Sequence, residues 1–382
     1  MAARTRWVCE MARELGFDLC GVAPAEAFEE LAHYSEWLER GYAGEMDYLR
    51  DARRADPRQV LDGARSLIVV ALNYNSAQPY STQQAAVPGE DLPRGWISRY
   101  AWGDDYHEVL REKLNALVAR MHDEWPEPFE ARAYVDTGPI VERVAAKYAG
   151  LGWLAKNTCL INEDLGSWLF LGAIVTTLEL VPSLAPNESP APDLCGNCRL
   201  CLDACPTQAF AAPYVLDARK CISYLTIELR GPIPEEFRPQ MGNAVIGCDI
   251  CQDVCPWNRK SPVTQLVAFQ PRAVDAKSEN EKVKTENGAT LFAPELEWLA
   301  ALSQDEFSRV FRGSAIKRAK WRGLVRNACV SLGNSCGAQD PKSRRRIVSL
   351  LERLTDSSDS IIAEHAEWAL RKLQSSSAER RK

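Results

Sequence analysis

The chain has 382 residues, of which 46% are hydrophobic and 26% charged, as is typical of a globular protein of two or three domains. Its formal net charge of −6 excludes a uniformly basic surface, so a nucleic-acid site would have to be a local patch. No run of about 18 apolar residues predicts a membrane span. The first residues have neither the apolar core of a signal peptide nor a twin-arginine motif, and we therefore expect a cytoplasmic protein.

The first 180 residues alternate between helical and strand-like patterns. The apolar, largely β-branched run Leu67–Leu72 predicts a buried strand. Gly166–Leu180 is rich in strand-forming residues. Helices are predicted at residues 7–16, 26–40, 105–123 and 142–149. Together these elements predict a core of the α/β or α+β class, in which helices cover a sheet.

Changes in composition divide the remainder of the chain. Four prolines between Val181 and Leu194 indicate a domain boundary. After residue 321 the pattern is helical only, with short helices and small breaks, as in helical repeats of the HEAT type. We therefore predict four parts: residues 1–182, 183–265, 266–320 and 321–375.

Eight of the thirteen cysteines lie between residues 195 and 255. Disulfides are rare in a reducing cytosol, and clustered cysteines there more often bind metal. One motif is C-x2-C-x2-C-x3-C-P, and a second is C-x2-C-x3-C-P with one cysteine upstream. The first motif comprises Cys195, Cys198, Cys201 and Cys205; the second comprises Cys248, Cys251 and Cys255, with Cys221 before it.

The spacing of the first motif is that of bacterial ferredoxins, in which the cysteine before the proline binds the other cluster. We therefore predict two [4Fe-4S] clusters, one held by Cys195, Cys198, Cys201 and Cys255, the other by Cys205, Cys221, Cys248 and Cys251. The alternative is zinc, but zinc ribbons use two CxxC pairs rather than this run. The insertion Ile222–Gly247 is predicted to be a loop that could close over a neighbouring site.

Clusters of this kind transfer single electrons and do not identify a substrate. The glycine-rich segment Gly150–Ala155 follows a helical pattern rather than a strand, so we discount it as a dinucleotide site. Reducing equivalents must then come from an external low-potential donor, and another cofactor in the chain must receive them.

Several segments resemble epoxyqueuosine reductases over almost the full length of the chain. Beside both cysteine motifs, they are Ala55–Arg58, Ser98–Tyr100, Asp105–His107, Asp136–Arg143, Ala149–Thr158, Cys221–Glu228 and Cys255–Asn258. The resemblance implies a cobalamin-dependent enzyme that reduces epoxyqueuosine to queuosine at the wobble position of tRNA. It also implies a reductive-dehalogenase-like cobalamin domain, a two-cluster ferredoxin-like module and a C-terminal HEAT-like domain. One departure is Gly138, where relatives often have alanine; the change removes one methyl group, and we expect that it does not threaten the assignment.

The resemblance implies that Asp136 is the proton donor of the reaction. Such a donor must keep its proton near neutral pH, so we expect burial to raise its pKa, although a nearby Arg143 would lower it. The alternative role for Asp136 is to cap a helix. Predicted cobalamin contacts are Arg58, Arg99, Asp136, Asn157, Thr158 and Ser223, and the alternative for the two arginines is a surface salt bridge.

A basic segment between Arg309 and Arg326 contains no acidic residue. Such a patch can hold phosphates although the net charge is negative, and it is the predicted tRNA site. We assign the contacts to Lys317, Arg318, Lys320 and Arg322. The alternative is a solvated helical face.

Two other functions are compatible with the cysteine motifs. The first is a cytoplasmic reductive dehalogenase that uses the same cofactors, although such enzymes usually carry a twin-arginine signal. The second is a ferredoxin-type electron carrier, which would not need the 180 residues that precede the cysteines. For an epoxyqueuosine reductase we expect a monomer that binds no membrane.

Overall fold

The computed structural model describes residues 2–83, 93–185, 188–274, 290–335 and 341–379. Within these ranges, no helix has both the length and the apolar character that crossing a membrane requires. The strands are β1 Leu19–Pro24, β2 Ser66–Asn73, β3 Trp96–Ile97, β4 Ala131–Tyr134, β5 Trp153–Leu154, β6 Leu160–Ile161, β7 Leu169–Thr176, β8 Phe210–Ala212, β9 Val215–Leu216 and β10 Ala244–Ile246. The helices are α1 Ala2–Glu14, α2 Tyr34–Glu39, α3 Tyr106–Glu124, α4 Glu142–Tyr148, α5 Leu200–Asp203, α6 Ile222–Ile227, α7 Ile250–Asp253, α8 Leu296–Ala301, α9 Gln304–Val310, α10 Lys320–Asn334, α11 Pro341–Thr355 and α12 Ser360–Glu379.

A four-stranded antiparallel sheet in the order β1-β2-β7-β4 forms the N-terminal core. All eight residues of β2 are buried, which explains why its sequence is a continuous apolar run. Because neighbouring residues of a strand point to opposite faces, Ile68 and Val70 contribute to one hydrophobic cluster and Leu67 and Val69 to another. Helices α1 and α3 cover the first face, and α4 covers the second. Since every pairing in this sheet is antiparallel, the core is of the α+β type among the two classes predicted.

The strong patterns of the N-terminal region agree with the structure, and one weak pattern does not. The predicted strand and the predicted helices at 105–123 and 142–149 correspond to β2, α3 and α4 within two residues at each end. The predicted helix at 26–40 is instead a 3-10 turn at Glu29–His33 followed by α2. Between the two, His33 ends the 3-10 turn and occupies the N-cap position of α2.

The C-terminal part is helical, as predicted, and α10 lies at its centre. Eleven residues of α10 are buried, because α8, α12 and strand β10 all pack against it. Strand β10 pairs in parallel with β3, which lies far from it in the sequence. The largest hydrophobic cluster therefore contains residues from all four predicted parts of the chain. Trp96, Ile246 and Leu324 are among its members. The predicted domain boundaries remain predictions, and this shared core crosses them.

Candidate active site

Asp136 lies in the loop between β4 and α4, with its side chain 63% exposed. Its φ of +54° is a left-handed conformation that aspartate tolerates better than most residues. Two neighbours at the start of α3 hold the carboxylate. The Tyr106 hydroxyl donates to its Oδ2 at 2.8 Å, and His107 Nε2 lies 3.4 Å from the same oxygen. Asp105, the residue that caps α3, contacts the other ring nitrogen of His107 at 2.7 Å.

This arrangement keeps Asp136 ionised. Desolvation raises the pKa of its carboxyl, but the interactions with His107 and Tyr106 outweigh this, and its pKa lies below the ordinary aspartate value. Burial lowers the pKa of His107, but Asp105 and Asp136 outweigh that and raise it to about 9. Burial does raise the pKa of Asp136, as expected, but the net balance, which the sequence left open, lies below the ordinary value. The expected opposing effect of Arg143 is present, although it is smaller than that of His107.

Gly138 allows the loop to pack closely against β4. A Cβ atom at this position would lie 2.3 Å from Cδ1 and 2.8 Å from Cβ of Tyr134. Contacts this short require one of the two groups to move. The change does not affect the family resemblance, but in this loop conformation an alanine would require a local displacement.

Two further residues near Asp136 were not singled out from the sequence. Glu142 is the first residue of α4, and its Oε1 is buried with no hydrogen-bond partner among the described residues. Arg54 is only 6% exposed, donates to the carbonyl of Ile140 at 3.4 Å, and has a buried Nε that also lacks a partner in the described part of the chain. The only sequence signal for Glu142 was its position as an acidic residue at the start of a predicted helix. Acidic residues are common at the start of any helix, so this signal does not indicate a function.

Among the other predicted cobalamin contacts, Thr158 is connected to the Asp136 loop through Arg143. Arg143 donates to both the carbonyl and the hydroxyl of Thr158, and its positive charge also reaches Asp136. The φ of Thr158 is +66°, which is rare for a β-branched residue. Strain of this kind concentrates at functional sites.

Asn157 and Ser223 lie against the cysteine region. Asn157 is 4% exposed, accepts from the backbone of Cys159, and donates to the carbonyl of Cys251 at 3.3 Å. Burial raises the pKa of the Cys221 thiol, and the backbone and side chain of the nearby Ser223 act against this. The Asn157 side chain therefore lies where the sheet domain meets the cysteine region.

The structure does not bring Arg58 and Arg99 to this site. Arg58 forms a bidentate pair with its neighbour Asp56, which matches the alternative role of a surface salt bridge. Arg99 is 1% exposed, donates to the backbone carbonyls of Ser76 and Gln78, and stacks 4.7 Å from the ring of Trp102. Because the protein itself encloses the Arg99 guanidinium, its burial favours a structural role, and the predicted contact of Arg99 with a cofactor stays a prediction.

Four of the predicted cluster ligands surround one cavity of about 280 Å³. The cavity is also lined by Asn157, which connects β5 and β6, and by Trp257. Lys156 donates to the carbonyls of Gly196 and Cys198 and so fixes the first cysteine loop. The four cysteines are those predicted for one cluster, namely Cys195, Cys198, Cys201 and Cys255.

The other four cysteines form a second group by their mutual electrostatic influence. Besides burial, the negative charges of Cys221 and Cys205 raise the pKa of Cys248, and those of Cys248 and Cys221 raise the pKa of Cys251. Cys251 is also influenced by Cys159 and by Cys201 of the first group, so the two groups adjoin. Backbone amides of Ala209 and Ile250 point at sulfurs of this group, as is common around iron–sulfur clusters. The predicted division of ligands, with Cys205 and Cys255 each crossing to the other motif, is compatible with this arrangement and stays a prediction.

The predicted tRNA residues differ in their availability. Lys317 and Lys320 are exposed and have no ion pair within the described ranges, whereas Arg322 pairs with Asp359. Arg318 forms a bidentate pair with Glu228 and lies 5.2 Å over the ring of Tyr48, and its charge reaches Asp136. The basic segment therefore begins beside the Asp136 loop.

At the other end of the segment, Arg326 has a structural role. It is 1% exposed and donates to the backbone carbonyls of Leu225, Leu229 and Gly231. The predicted basic patch is thus shorter than the run of positive charges in the sequence.

Family models match two regions of the chain. Residues 54–137 match the model described as Epoxyqueuosine reductase QueG, DUF1730. Residues 194–258 match the 4Fe-4S double cluster binding domain. The first region includes Arg54 and ends just after Asp136, and the second contains all eight predicted cluster ligands. Zinc is therefore set aside in favour of the iron–sulfur prediction.

Solved structures of epoxyqueuosine reductases have the same fold. One is a crystal structure with a tRNA-Tyr epoxyqueuosine-modified stem loop; its TM-score is 0.78 at 28% identity, covering 97% of this chain and 99% of that chain. The enzyme from Streptococcus thermophilus has a TM-score of 0.80 at 29% identity, covering 98% and 91%. A structure of the Bacillus subtilis enzyme, with a TM-score of 0.75 at 27% identity and coverage of 97% and 99%, shows the loop of its catalytic aspartate swung out of the active site.

Relatives of assigned function are similar along nearly the whole chain. Identity to the epoxyqueuosine reductase of Gloeobacter violaceus is 44% over 343 residues, covering 88% of this chain and 98% of that protein. Identity to the enzyme of Pseudomonas aeruginosa is 39% over 362 residues, covering 94% and 92%. With the Asp136 loop, the two cysteine groups and these similarities taken together, the chain belongs to the epoxyqueuosine reductase family.

Proposed function

We propose that this chain reduces epoxyqueuosine to queuosine in the tRNA anticodon, with Asp136 as the residue that delivers protons to the epoxide oxygen. The observation that carries this role is the position of the Asp136 carboxylate. It stands 63% exposed in a loop, oriented by Tyr106 and by the Asp105–His107 pair. In the alternative role, Asp136 would cap α4 and accept hydrogen bonds from the first backbone amides of that helix. The residue at the N-cap position of α4 is Val141, and no side chain caps the helix there.

The cofactors of this family are cobalamin and two [4Fe-4S] clusters. The eight cysteines fit two clusters, because four of them line one cavity and the other four adjoin it. For cobalamin, the strained Thr158 and the polar Ser223 fit a group with an amide-rich rim. When bound, cobalamin and the clusters together supply the two electrons that the epoxide takes up.

The tRNA is proposed to approach over the basic segment that begins at Lys317. Bases of an anticodon loop are already unpaired, so placing one beside Asp136 costs little compared with extracting a base from a duplex. Tyr48 is 45% exposed at this edge and lies between the guanidinium groups of Arg54 and Arg318. Exposed aromatic rings and arginine planes are typical surfaces for unstacked bases.

Four further properties are proposed from the sequence and remain to be tested. The electrons come from an external low-potential donor, the protein acts as a monomer, and it works in the cytoplasm. The division into residues 1–182, 183–265, 266–320 and 321–375 describes regions of different composition that share part of one core.

The role of Asp136 is tested by Asp136→Asn, which keeps the shape of the side chain but cannot donate a proton as a carboxylic acid does. The variant should retain iron, cobalamin and tRNA binding but lose turnover by 10²-fold or more, on the order of a general acid. Turnover is measured by mass spectrometry of wobble nucleosides. Asp123→Asn, at an exposed position near the end of α3, is the matched control and should be fully active. An Asp136→Asn variant with normal turnover would remove Asp136 from the reaction.

A further inference from the structure

Tyr48 and Arg318 form one exposed group beside the Asp136 loop. Tyr48 is 45% exposed, the Arg318 side chain is equally exposed, and the Arg318 guanidinium lies 5.2 Å from the centroid of the Tyr48 ring. A second guanidinium, that of Arg54, lies 5.9 Å from the same ring. Arg54 is buried and donates to the carbonyl of Ile140, which belongs to the Asp136 loop. The Tyr48 ring is therefore connected to this loop through a buried cation, while part of its surface remains open to solvent.

Arg318 is fixed through both its side chain and its backbone. Glu228, directly after α6, accepts two hydrogen bonds from the guanidinium, at 2.9 and 3.0 Å. Arg230 donates to the backbone carbonyl of Arg318 at 3.0 Å. The plane of the guanidinium is thus held in one orientation by the protein itself. A contact surface that is already ordered costs less conformational entropy when a partner binds to it.

The pairing with Glu228 also limits what Arg318 can offer to a phosphate. The carboxylate offsets the positive charge of Arg318 and occupies its Nε and one terminal nitrogen. Lys317 and Lys320 in the same segment are exposed and form no ion pair with any residue that the structure describes. The two lysines are therefore better placed to hold phosphates, whereas Arg318 presents a flat surface whose charge is largely neutralised.

The exposed group lies within electrostatic reach of the Asp136 carboxylate. The pKa of Arg318 is raised chiefly by its hydrogen bonds to Glu228, with a smaller contribution from the negative charge of Asp136, while burial acts against both. Together with the contact from Arg54 to Ile140, this places the Tyr48 ring and the Arg318 plane next to the position where the epoxide would meet Asp136.

We propose that Tyr48 and Arg318 form a stacking surface for one unpaired base of the anticodon loop, a base adjacent to the modified nucleotide. Bases of any sequence stack on aromatic rings and on guanidinium planes. Holding the neighbouring base fixes the strand that carries epoxyqueuosine and so places the epoxide at Asp136. Tyr48 and Arg318 are positioning residues that do not contact the epoxide, and this inference rests on the proposed approach of the tRNA over the basic segment.

The test is a thermodynamic cycle between protein and RNA. The anaerobic holoenzyme is titrated with an anticodon stem loop that contains epoxyqueuosine, and with stem loops in which the nucleotide on one side or the other of epoxyqueuosine is abasic. Binding is measured by fluorescence anisotropy at several salt concentrations. Tyr48→Leu should raise the Kd of the complete stem loop roughly ten- to a hundredfold, with the same slope of log Kd against log salt. One abasic stem loop should show a similar loss with the unmodified enzyme, and the two losses should not add.

Two further variants distinguish stacking from other contacts. Tyr48→Phe keeps the ring and should regain most of the affinity that Tyr48→Leu loses. Arg318→Lys keeps the charge but removes the plane, and it should raise the Kd roughly three- to tenfold, whereas a phosphate contact would tolerate lysine. Tyr214→Leu is the matched control and should bind like the unmodified enzyme. Tyr214 is 44% exposed, and its hydroxyl donates to Asp193 beside the first cysteine motif rather than to the Asp136 loop.

The proposal would be overturned if both abasic stem loops bound the unmodified enzyme as tightly as the complete one, or if the losses from Tyr48→Leu and from the abasic site were additive. Unchanged affinity of Arg318→Lys would exclude stacking on Arg318. If Tyr48→Leu does not retain its iron, the same cycle with Arg318→Lys decides in the same way. Failure of the proposed function is distinct, because the holoenzyme would then bind the stem loop and leave its epoxyqueuosine unchanged.

Discussion

At the scale of single residues, the site depends on contacts between Asp136 and side chains distant in sequence. The resemblance identified Asp136, and the family match extends to this residue. The lowered pKa was not predictable, because it depends on Tyr106 and His107, which a different element supplies. The burial of Arg99 was not predictable for the same reason, since sequence does not show that three aromatic rings enclose its guanidinium.

Gly138 provides a test of the conformation of the Asp136 loop. Gly138→Ala should displace either the loop or Tyr134, because the new Cβ would lie 2.3 Å from the tyrosine ring. A shift of about 1 Å in a catalytic group can reduce turnover about a hundredfold, so we expect a fall in kcat of that order with iron content unchanged. Adding Tyr134→Ala should restore activity by removing the obstacle.

Gly231→Ala is the control for this prediction, because a Cβ there has no neighbour within 4 Å. Equal kcat for Gly138→Ala and Gly231→Ala would show that the loop does not need the close approach to Tyr134.

At the scale of elements, the sequence predicted the strands and helices whose formation depends mainly on their own residues. Strand β2 is a continuous apolar run and helix α3 carries apolar residues on one side, and these two elements and the helical pattern of α4 were located from the sequence. The pairing of β3 with β10 was not predictable, because two-residue strands carry little pattern and their partners are remote in the chain. The basic segment was found by composition, but burial of Arg326 inside it follows only from packing of α10 against α6.

The basic segment gives a prediction for tRNA binding. The double variant Lys317→Glu and Lys320→Glu should weaken tRNA binding and make the dependence of log Kd on log salt shallower, by about one for each lost phosphate contact. Binding is measured by titration at several salt concentrations. The control is Arg120→Glu on α3, about 21 Å along the helix from Tyr106. If both enzymes bind with the same affinity and salt slope, the tRNA contacts lie elsewhere.

At the scale of the whole molecule, the cysteine motifs predicted the cofactor module, but not how it joins the rest. The crossing of Cys205 and Cys255 between motifs follows from ferredoxin spacing and agrees with the two cysteine groups. The hydrogen bond from Asn157 to the Cys251 carbonyl shows that the cysteine region and the sheet domain adjoin. The large shared cluster of the C-terminal helices with Trp96 was not visible in the sequence, because it forms only when distant segments meet.

Selective loss of one cluster tests the division of the ligands. The unmodified protein should contain about eight irons per chain. Cys255→Ser and Cys195→Ser should disturb the same cluster, with the same change in its electron paramagnetic resonance spectrum, whereas Cys248→Ser should disturb the other. If Cys255→Ser gives the spectrum of Cys248→Ser, the predicted crossing between motifs is wrong.

The function itself is tested most directly by incubating the anaerobically purified protein, with cobalamin and a strong reductant, with tRNA that contains epoxyqueuosine. Mass spectrometry of the wobble nucleoside should show queuosine, lighter than the starting nucleoside by one oxygen atom, and its formation should require the protein. Recovery of unchanged epoxyqueuosine, from protein that carries its full iron and cobalamin, would contradict the account.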